Sequence, residues 1–290
     1  MDGGERHGAT IGLRIAVAGF VGLLAAMGAW LVASSSPATA GSGGSGDSLL
    51  PDLIVEPPEE IILQGTPKKT FLRFSHTTSN IGQGPLEIYP DLDDEDCQDR
   101  GDRALVAYQT IYQDANGSGT FQRGVDTDTT QSPVGCMIFH DIHDHYHFED
   151  FALYELYRMT SGKLKETSDK VSFCVVDILN THPEIPGAAG PYYEFANCLT
   201  DSGIHGISVG YADIYGAGTP GQEFDVSDRK PGRFCLVAWA DPADRLDEVP
   251  TAGEDNNIQT VQIRMNPKNA SKFGSPVQQL DEPCSPPPTP

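Results

Sequence analysis

Short stretches of alternating apolar and polar residues, separated by turns, run through most of the chain. Thr70 to Phe74 alternates in this way, and Gly82 to Pro85 forms a turn before the alternating run Leu86 to Tyr89. Side chains of a strand point in turn to its two faces, so this period of two is typical of half-buried strands. No stretch carries the 3.6-residue period of an amphipathic helix over more than about two turns. The pattern therefore predicts an all-β protein, a β-sandwich with long loops.

The same pattern predicts further strands along the chain. Ala104 to Ile111 and Gly119 to Arg123 are typical of a hairpin around the turn residues 114–117. His143 to Tyr157 alternates over its whole length, which predicts a single long strand. The remaining predicted strands are Val171 to Val176, Gly206 to Ile214, Gly232 to Trp239 and Ile258 to Met265.

The first forty residues differ from the rest in composition. Ile11 to Ala33 is apolar apart from Arg14, and Ala38-Thr39-Ala40 has the small-x-small pattern of a signal-peptidase site. We interpret 1–40 as an export signal. An uncleaved membrane anchor is the alternative, because the apolar run is near the ~20 residues that span a bilayer. Both interpretations place the rest outside the cytoplasm, as a secreted or N-terminally anchored protein. We expect a Gly/Ser linker over 41–49, one domain over 50–266 and a proline-rich tail over 267–290.

The cysteines agree with an exported protein. There are six, and no two of them form a Cys-x-x-Cys pair of the kind that zinc ribbons and redox motifs use. Exported proteins favour disulfides, so we expect up to three bridges. Proximity along the chain suggests Cys97 with Cys136 and Cys174 with Cys198.

The charge of the chain limits the classes of molecule that it is expected to bind. The formal net charge is -22, so the chain lacks the basic surface that nucleic acid would require. A strongly acidic surface attracts cationic substrates, such as amines or lysine-rich polypeptides. Solubility alone is the competing explanation of the charge.

Three histidines in alternation form the strongest chemical signal. Residues i, i+2 and i+4 of a strand line one face, so His143, His145 and His147 would converge there. Imidazole nitrogens bind copper, zinc, iron and nickel, which predicts a transition-metal site. His140 lies three positions before His143 and therefore falls outside this alternation. It is a candidate fourth ligand, an orienter of the ligands or a substrate contact, and we favour the last two. Asp144 and Tyr146 would point to the opposite face.

A cupin-type oxygenase is one alternative. His143-x-His145 followed by Glu149 fits the first half of a cupin metal motif, but the downstream histidines, His182 and His205, do not form a second half. Another alternative is an exported sandwich that binds metal without catalysis.

Four segments, in order along the chain, resemble the catalytic domain of the lysyl oxidase family, and the second is similar to that family's copper signature WHSCHQHYH. They are Leu72-Arg73-Phe74 with Asn80-Ile81-Gly82, Phe139-His140-Asp141-Ile142-His143-Asp144-His145-Tyr146-His147, Lys170-Val171-Ser172-Phe173-Cys174, and Tyr211-Ala212-Asp213-Ile214-Tyr215-Gly216 with Asp225, Pro231 and Gly232. The match runs from Pro51 to Met265. It departs from the animal pattern at Phe139, Ile142 and Tyr211, which replace a tryptophan and two cysteines.

The resemblance implies a copper-dependent amine oxidase. It implies Cu²⁺ on the three alternating histidines, and a lysine tyrosylquinone cofactor made from Lys170 and Tyr215. Asp213 is then the candidate general base, with turn capping as the alternative. Primary amines, either peptidyl lysine or small amines, would be converted with O2 to aldehydes, hydrogen peroxide and ammonia. Without the resemblance, Lys170 and Tyr215 would be ordinary strand and turn residues.

The resemblance also suggests a structural Ca²⁺ site between the two ends of the domain. Its positions are Asp52-Leu53 near the start and Asn256-Asn257 near the end. The nearby residues Glu248, Glu254 and Asp255 offer the oxygen ligands that Ca²⁺ prefers. A simple acidic loop is the alternative.

Overall fold

The computed structural model describes residues 47–66, 68–168, 171–250 and 255–284. The predicted export segment, most of the linker and the last six residues lie outside these ranges. So do Lys170 and Glu254.

Strands dominate the described ranges, and the helical elements there are short 3-10 turns. The strands are β1 Ser48–Leu49, β2 Leu53–Val55, β3 Ile61–Thr66, β4 Lys69–Phe74, β5 His76–Asn80, β6 Leu86–Asp91, β7 Leu105–Gln113, β8 Thr129–His140, β9 His145–Phe148, β10 Ala152–Arg158, β11 Lys163–Thr167, β12 Leu179–Asn180, β13 His205–Ile207, β14 Tyr211–Tyr215, β15 Glu223–Asp225, β16 Gly232–Ala240, β17 Ile258–Met265, β18 Ser275–Pro276 and β19 Gln278–Leu280. The 3-10 turns are Gln98–Arg100, Phe195–Leu199, Asp255–Asn257 and Pro267–Asn269.

The strands form four antiparallel sheets. The first has the order β13-β6-β7-β8-β9, with β1 added beside β7, and the second has the order β11-β10-β16-β17-β19. The third is β12-β14-β5-β2 and the fourth is β15-β4-β3-β18. This confirms the predicted all-β class. In the described ranges, no helix is long and apolar enough to cross a membrane.

One hydrophobic core joins the four sheets. Ile88 of the first sheet, Tyr154 of the second, Leu53 of the third and Phe74 of the fourth belong to the same buried cluster. Each of these side chains is at most 1% exposed. Burying a side chain of this size stabilises the fold by about 1.5–3 kcal/mol, so the shared core holds the sheets together.

The segment 171–176 lies between the two edges of the first sheet. Phe148 on β9 exchanges two backbone hydrogen bonds with Phe173, at 2.8 and 3.0 Å. On the other side, the Gly206 N–H of β13 donates to the Val175 carbonyl at 2.9 Å. The predicted strand Val171 to Val176 is thus wrong as a regular ladder, because the segment makes an isolated bridge to β9 and a hydrogen bond to β13. It nevertheless links β9 to β13.

The predicted single strand from His143 to Tyr157 is wrong. The chain forms two strands, β9 and β10, which belong to different sheets. Asp144 and Asp150 adopt the left-handed conformation, each with φ of 57°. Aspartate tolerates this conformation better than most residues, and it breaks an extended run. His143 therefore lies in a turn, whereas the other two of the three alternating histidines, His145 and His147, lie on β9.

The predicted hairpin of Ala104–Ile111 with Gly119–Arg123 is also wrong. β7 pairs with β8 instead, and 114–126 is a loop held by two carboxylates. Asp114 accepts the backbone N–H groups of Asn116, Ser118 and Gly119. Asp126 accepts those of Ala115 and Gln122. These side-chain bonds give the backbone an alternative to a ladder.

Two further boundaries differ from the prediction. The run Gly206 to Ile214 is divided into β13 and β14 near Gly210, whose φ is +79°. The described part of the predicted tail 267–290 is folded, because β18 pairs with β3 and β19 pairs with β17. The strands predicted at Gly232 to Trp239 and Ile258 to Met265 are confirmed as β16 and β17.

All six cysteines are joined in disulfides. The bridges Cys97–Cys136 and Cys174–Cys198 confirm the pairs expected from proximity. The third, Cys235–Cys284, ties the end of the described chain to β16.

Candidate metal and quinone site

A strand end and a tight turn bring the histidines together. His140 ends β8, and its carbonyl accepts the N–H groups of His143 and Asp144 at 2.9 and 2.8 Å. This turn places His143 just before β9, which carries His145 and His147. The predicted alternation accounts for the last two, whereas the turn supplies the first.

Ring nitrogens of the three histidines converge. One nitrogen from each of His143, His145 and His147 lies within 4.8 Å of the others. The Nε2 atoms of His145 and His147 are 2.8 Å apart, and His143 Nδ1 is 3.4 Å from His147 Nε2. A metal ion bound to imidazole lies about 2.0–2.1 Å from each nitrogen. These separations are short enough for a single ion to bind all three.

The opposite nitrogens of two rings have partners that fix the rings. His145 Nδ1 donates to the His143 carbonyl at 2.8 Å, because a carbonyl can only accept. This leaves a lone pair on His145 Nε2. His147 Nδ1 lies 3.2 Å from the Ser172 hydroxyl, which completes the same arrangement when it accepts. Metal-binding histidines use their second nitrogen in this way, so the residues present fit a transition-metal ion.

His140 lies beside this group. Its ring stacks on His143 with centroids 4.1 Å apart, and it is 5.1 Å from the His147 ring. Its Nδ1 is buried and has no hydrogen-bond partner within the described residues. The choice between orienting the ligands and contacting substrate stays a prediction. Tyr146 packs in the core against Phe139, as expected for the opposite face.

The structure brings Asp213 and Tyr215 to one face of β14. They are two residues apart on the strand, and Asp213 is 2% exposed. The Tyr215 hydroxyl donates to the Cys174 carbonyl at 2.8 Å, and its ring meets Phe173 edge-on at 4.8 Å. Burial raises the pKa of Tyr215 well above its usual value, and the Asp213 charge raises it further. Tyr215 is therefore a neutral phenol at neutral pH.

The segment 172–174 connects the histidines with Tyr215. Ser172 contacts His147, and Cys174 accepts the hydrogen bond from Tyr215. Lys170 lies outside the described residues, but it precedes Ser172 by only two positions. The chain that follows Lys170 therefore reaches both parts of the site.

Two buried residues that were not predicted from the sequence lie near Tyr215. His76 is its cross-strand partner on β5. Burial lowers the pKa of His76 to about 3, so its ring is neutral. The Tyr154 ring lies edge-on to His76 at 5.1 Å, and its hydroxyl has no hydrogen-bond partner in the described ranges. Burial and then the Asp213 charge raise the pKa of Tyr154. In the sequence, each could have been recognised as a polar side chain at a strand position where the alternation predicts a buried residue.

The residues of the suggested Ca²⁺ site also meet. A cavity of about 210 Å³ is lined by Asp52, Glu248, Asn256 and Asn257, among others. Asn256 donates to Asp52, and Asn257 donates to Glu248 at 2.8 Å. Burial raises the pKa of Glu248 to about 7, even though the Leu53 N–H and Asn257 donate to it.

The downstream histidines of the cupin alternative lie outside the group of three. His182 is paired with Glu56 at 2.9 Å and with Glu184 at 3.3 Å. His205 is fully buried on β13, and burial, with a smaller effect of His145, lowers its pKa to about 3. Among the described residues, the converging set therefore has no second half of a cupin motif.

The chain is similar to known proteins over about half of its length. The family model described as Lysyl oxidase matches residues 121–273. The chain is 30% identical over 166 residues to lysyl oxidase homolog 2 of Rattus norvegicus, which covers 57% of this chain and 19% of that protein. It is 29% identical over 140 residues to the protein-lysine 6-oxidase of Homo sapiens, which covers 48% of this chain and 30% of that protein. The matches thus span less than a third of either relative.

Proposed function

The chain belongs to the lysyl oxidase family, and on that premise we propose that it is a copper-dependent amine oxidase. It converts primary amines, peptidyl lysine or small amines, to aldehydes and releases hydrogen peroxide and ammonia. Its cofactor is a lysine tyrosylquinone made from Lys170 and Tyr215. The observation that carries the proposal is the segment 172–174, which contacts His147 at one end and Tyr215 at the other.

The three histidines would hold the copper. His143, His145 and His147 present converging nitrogens, and two of the rings are oriented through their second nitrogens. Bound copper supplies redox chemistry with O2, and the quinone supplies an electrophilic carbonyl that no ordinary side chain offers.

The protein's own residues position the tyrosine and move the proton. The Cys174 carbonyl and the Phe173 ring fix Tyr215. Asp213, on the same face of β14, takes the proton from the substrate carbon next to the amine nitrogen. The buried rings of His76, Tyr154 and Phe173 exclude water around this pair. Lys170 supplies the nitrogen of the cross-link.

The charge and the disulfides support the proposed location and partners. Three disulfides fit an exported protein. With 1–40 as the export segment, the folded domain is secreted, or it is membrane-anchored if that segment is retained. The net charge of -22 favours cationic amines or lysine-bearing polypeptides as substrates, with O2 as the co-substrate. Nucleic acid is not a partner.

A comparison of two metals tests the proposed function. The full chain is loaded with copper in air and mixed with a lysine-rich polypeptide, and hydrogen peroxide is measured. A matched sample is loaded with zinc, which has no redox chemistry. We expect peroxide and aldehyde with copper and neither with zinc. Metal binding without peroxide in the copper sample would instead support the non-catalytic alternative.

We also propose that the cavity around Asp52 binds Ca²⁺, through Asp52, Asn256, Asn257 and Glu248, with Glu254 as a further candidate ligand. Carboxylate and amide oxygens are the ligands that Ca²⁺ prefers. The site joins residues from both ends of the domain, so bound Ca²⁺ stabilises the folded state.

Calcium should therefore raise the melting temperature. At a hundredfold excess over Kd, one bound ion contributes about 2.7 kcal/mol, which corresponds to roughly 5–10 °C in a domain of this size. Calorimetry with Ca²⁺ and with chelator measures the shift. We expect Glu248→Gln to lose most of it, and Asp93→Asn, in an exposed acidic loop, to keep it. An equal shift in both variants would contradict the site.

A further inference from the structure

Large apolar side chains are exposed around the histidine group. Ile142 is 87% exposed in the turn between His140 and β9. Phe195 and Leu199, the ends of one 3-10 turn, are both 52% exposed, and Ile204 is 39% exposed. We call these four residues the apolar rim. Soluble proteins seldom expose several large apolar groups on neighbouring elements without a partner that covers them.

The apolar rim is connected to the histidines and to the part of the site around Tyr215. The Phe195 ring lies edge-on to His145, with centroids 5.1 Å apart. The same 3-10 turn contains Cys198, whose disulfide to Cys174 joins it to the residue that accepts the hydrogen bond from Tyr215. Ile204 is tied to the turn because its carbonyl accepts a hydrogen bond from the Asn197 side chain at 2.9 Å. The 3-10 turn and Ile204 therefore have a fixed place beside the histidines, and Ile142 directly precedes His143 in the chain.

The border of the rim is acidic. Exposed carboxylates follow or precede its members in the chain: Asp141, Asp144, Glu194 and Asp201. The sequence from 171 to 228 contains no lysine or arginine, and neither does that from 140 to 157. These carboxylates repel an anionic ligand and attract a cationic one, so a ligand that covers the apolar rim and carries positive charge fits this surface.

We propose that the apolar rim and its acidic border form a docking surface for an extended polypeptide in which large apolar side chains flank the reacting lysine. This rests on the proposed amine oxidase function and specifies its substrate class. The lysine amine enters the site between the histidines and Tyr215, while the flanking side chains cover Ile142, Phe195 and Leu199. Cationic residues elsewhere in the polypeptide face the acidic border.

Two lysine peptides test the docking surface. One carries leucines on both sides of the lysine and the other carries serines, and kcat/KM is measured for each with the copper-loaded full chain. Covering one large apolar side chain favours the leucine peptide by about tenfold or more. We expect the double variant I142S/L199S to reduce this ratio to near one. Because both peptides are measured with the same variant, a general loss of activity does not change the ratio of their kcat/KM values.

The matched control is Phe273→Ser, which removes a side chain 88% exposed in the segment that leads to β18. It should keep the wild-type ratio. A wild-type ratio of one, or an unchanged ratio in the double variant, would overturn the docking surface. If wild-type protein turns over neither peptide nor a small amine, the amine oxidase proposal fails. In that case, direct binding of the same peptides is measured. The leucine peptide should still bind more tightly to wild type than to the double variant. Equal binding would overturn the docking surface.

Discussion

Replacing Tyr215 with phenylalanine lowers amine oxidation by at least about 10³-fold, equivalent to about 4 kcal/mol of transition-state stabilisation. The reason is chemical: without its ring oxygen, the residue cannot provide the quinone that accepts the amine. The fold should survive, because the change keeps the ring and removes the hydrogen bond to the Cys174 carbonyl. Such a bond is worth about 0.5–1.5 kcal/mol. Peroxide release, quinone absorbance and copper content are measured together, and copper content should stay near that of wild type.

Tyr211→Phe is the matched control for this variant. It makes the same chemical change at the other end of β14, two residues before Asp213. The control should keep its quinone absorbance and its activity. If Tyr215→Phe turns over amines at the wild-type rate, Tyr215 is not the cofactor precursor and the proposed mechanism is wrong.

Replacing His147 with alanine should abolish tight copper binding, and activity with it. His147 is the central member of the group, because its Nε2 lies 2.8 Å from His145 Nε2 and 3.4 Å from His143 Nδ1. Loss of an outer-shell partner alone costs about 10–100-fold in metal affinity, so removal of a ligand should cost more than about 100-fold. Competition with a chelator of known affinity measures the change, and elemental analysis gives the copper content per chain.

His182→Ala is the corresponding control. That histidine is paired with Glu56 and Glu184, outside the converging group, so its removal should leave copper affinity unchanged. Wild-type copper affinity in the His147→Ala variant would show that the three histidines are not the metal site. A parallel loss of near-ultraviolet circular dichroism would identify misfolding as the cause, and His147→Gln then separates ligand loss from loss of packing.

The strands were predictable where their pattern is local. Thr70 to Phe74 alternates because one face of β4 is buried, and the second half of Gly232 to Trp239 is a continuous apolar run because β16 is buried on both faces there. The break between β9 and β10 could not be predicted in this way. Asp144 and Asp150 are as compatible with the polar face of a strand as with a turn, and their left-handed conformation is visible only in the structure.

The residues of the candidate site were likewise predictable only where the sequence carries a local pattern. Three histidines at alternate positions were a local signal, and the structure brings their nitrogens together. Lys170 and Tyr215 carry no such signal and were identified by resemblance alone. His76 and Tyr154 were missed because they approach Tyr215 through pairing and packing between residues far apart in the sequence, which no local period records.

The covalent state of Lys170 and Tyr215 shows whether the proposed quinone forms. The full chain is loaded with copper in air, reduced, alkylated and digested, and its peptides are analysed by mass spectrometry. Trypsin is unsuitable, because the sequence has no lysine or arginine between 171 and 228. Cleavage after acidic residues such as Asp177 and Asp213 separates the two sites. We predict one species in which the Lys170 and Tyr215 peptides are joined, and its absence from copper-free protein. Two separate, unmodified peptides after copper loading in air would contradict the quinone enzyme.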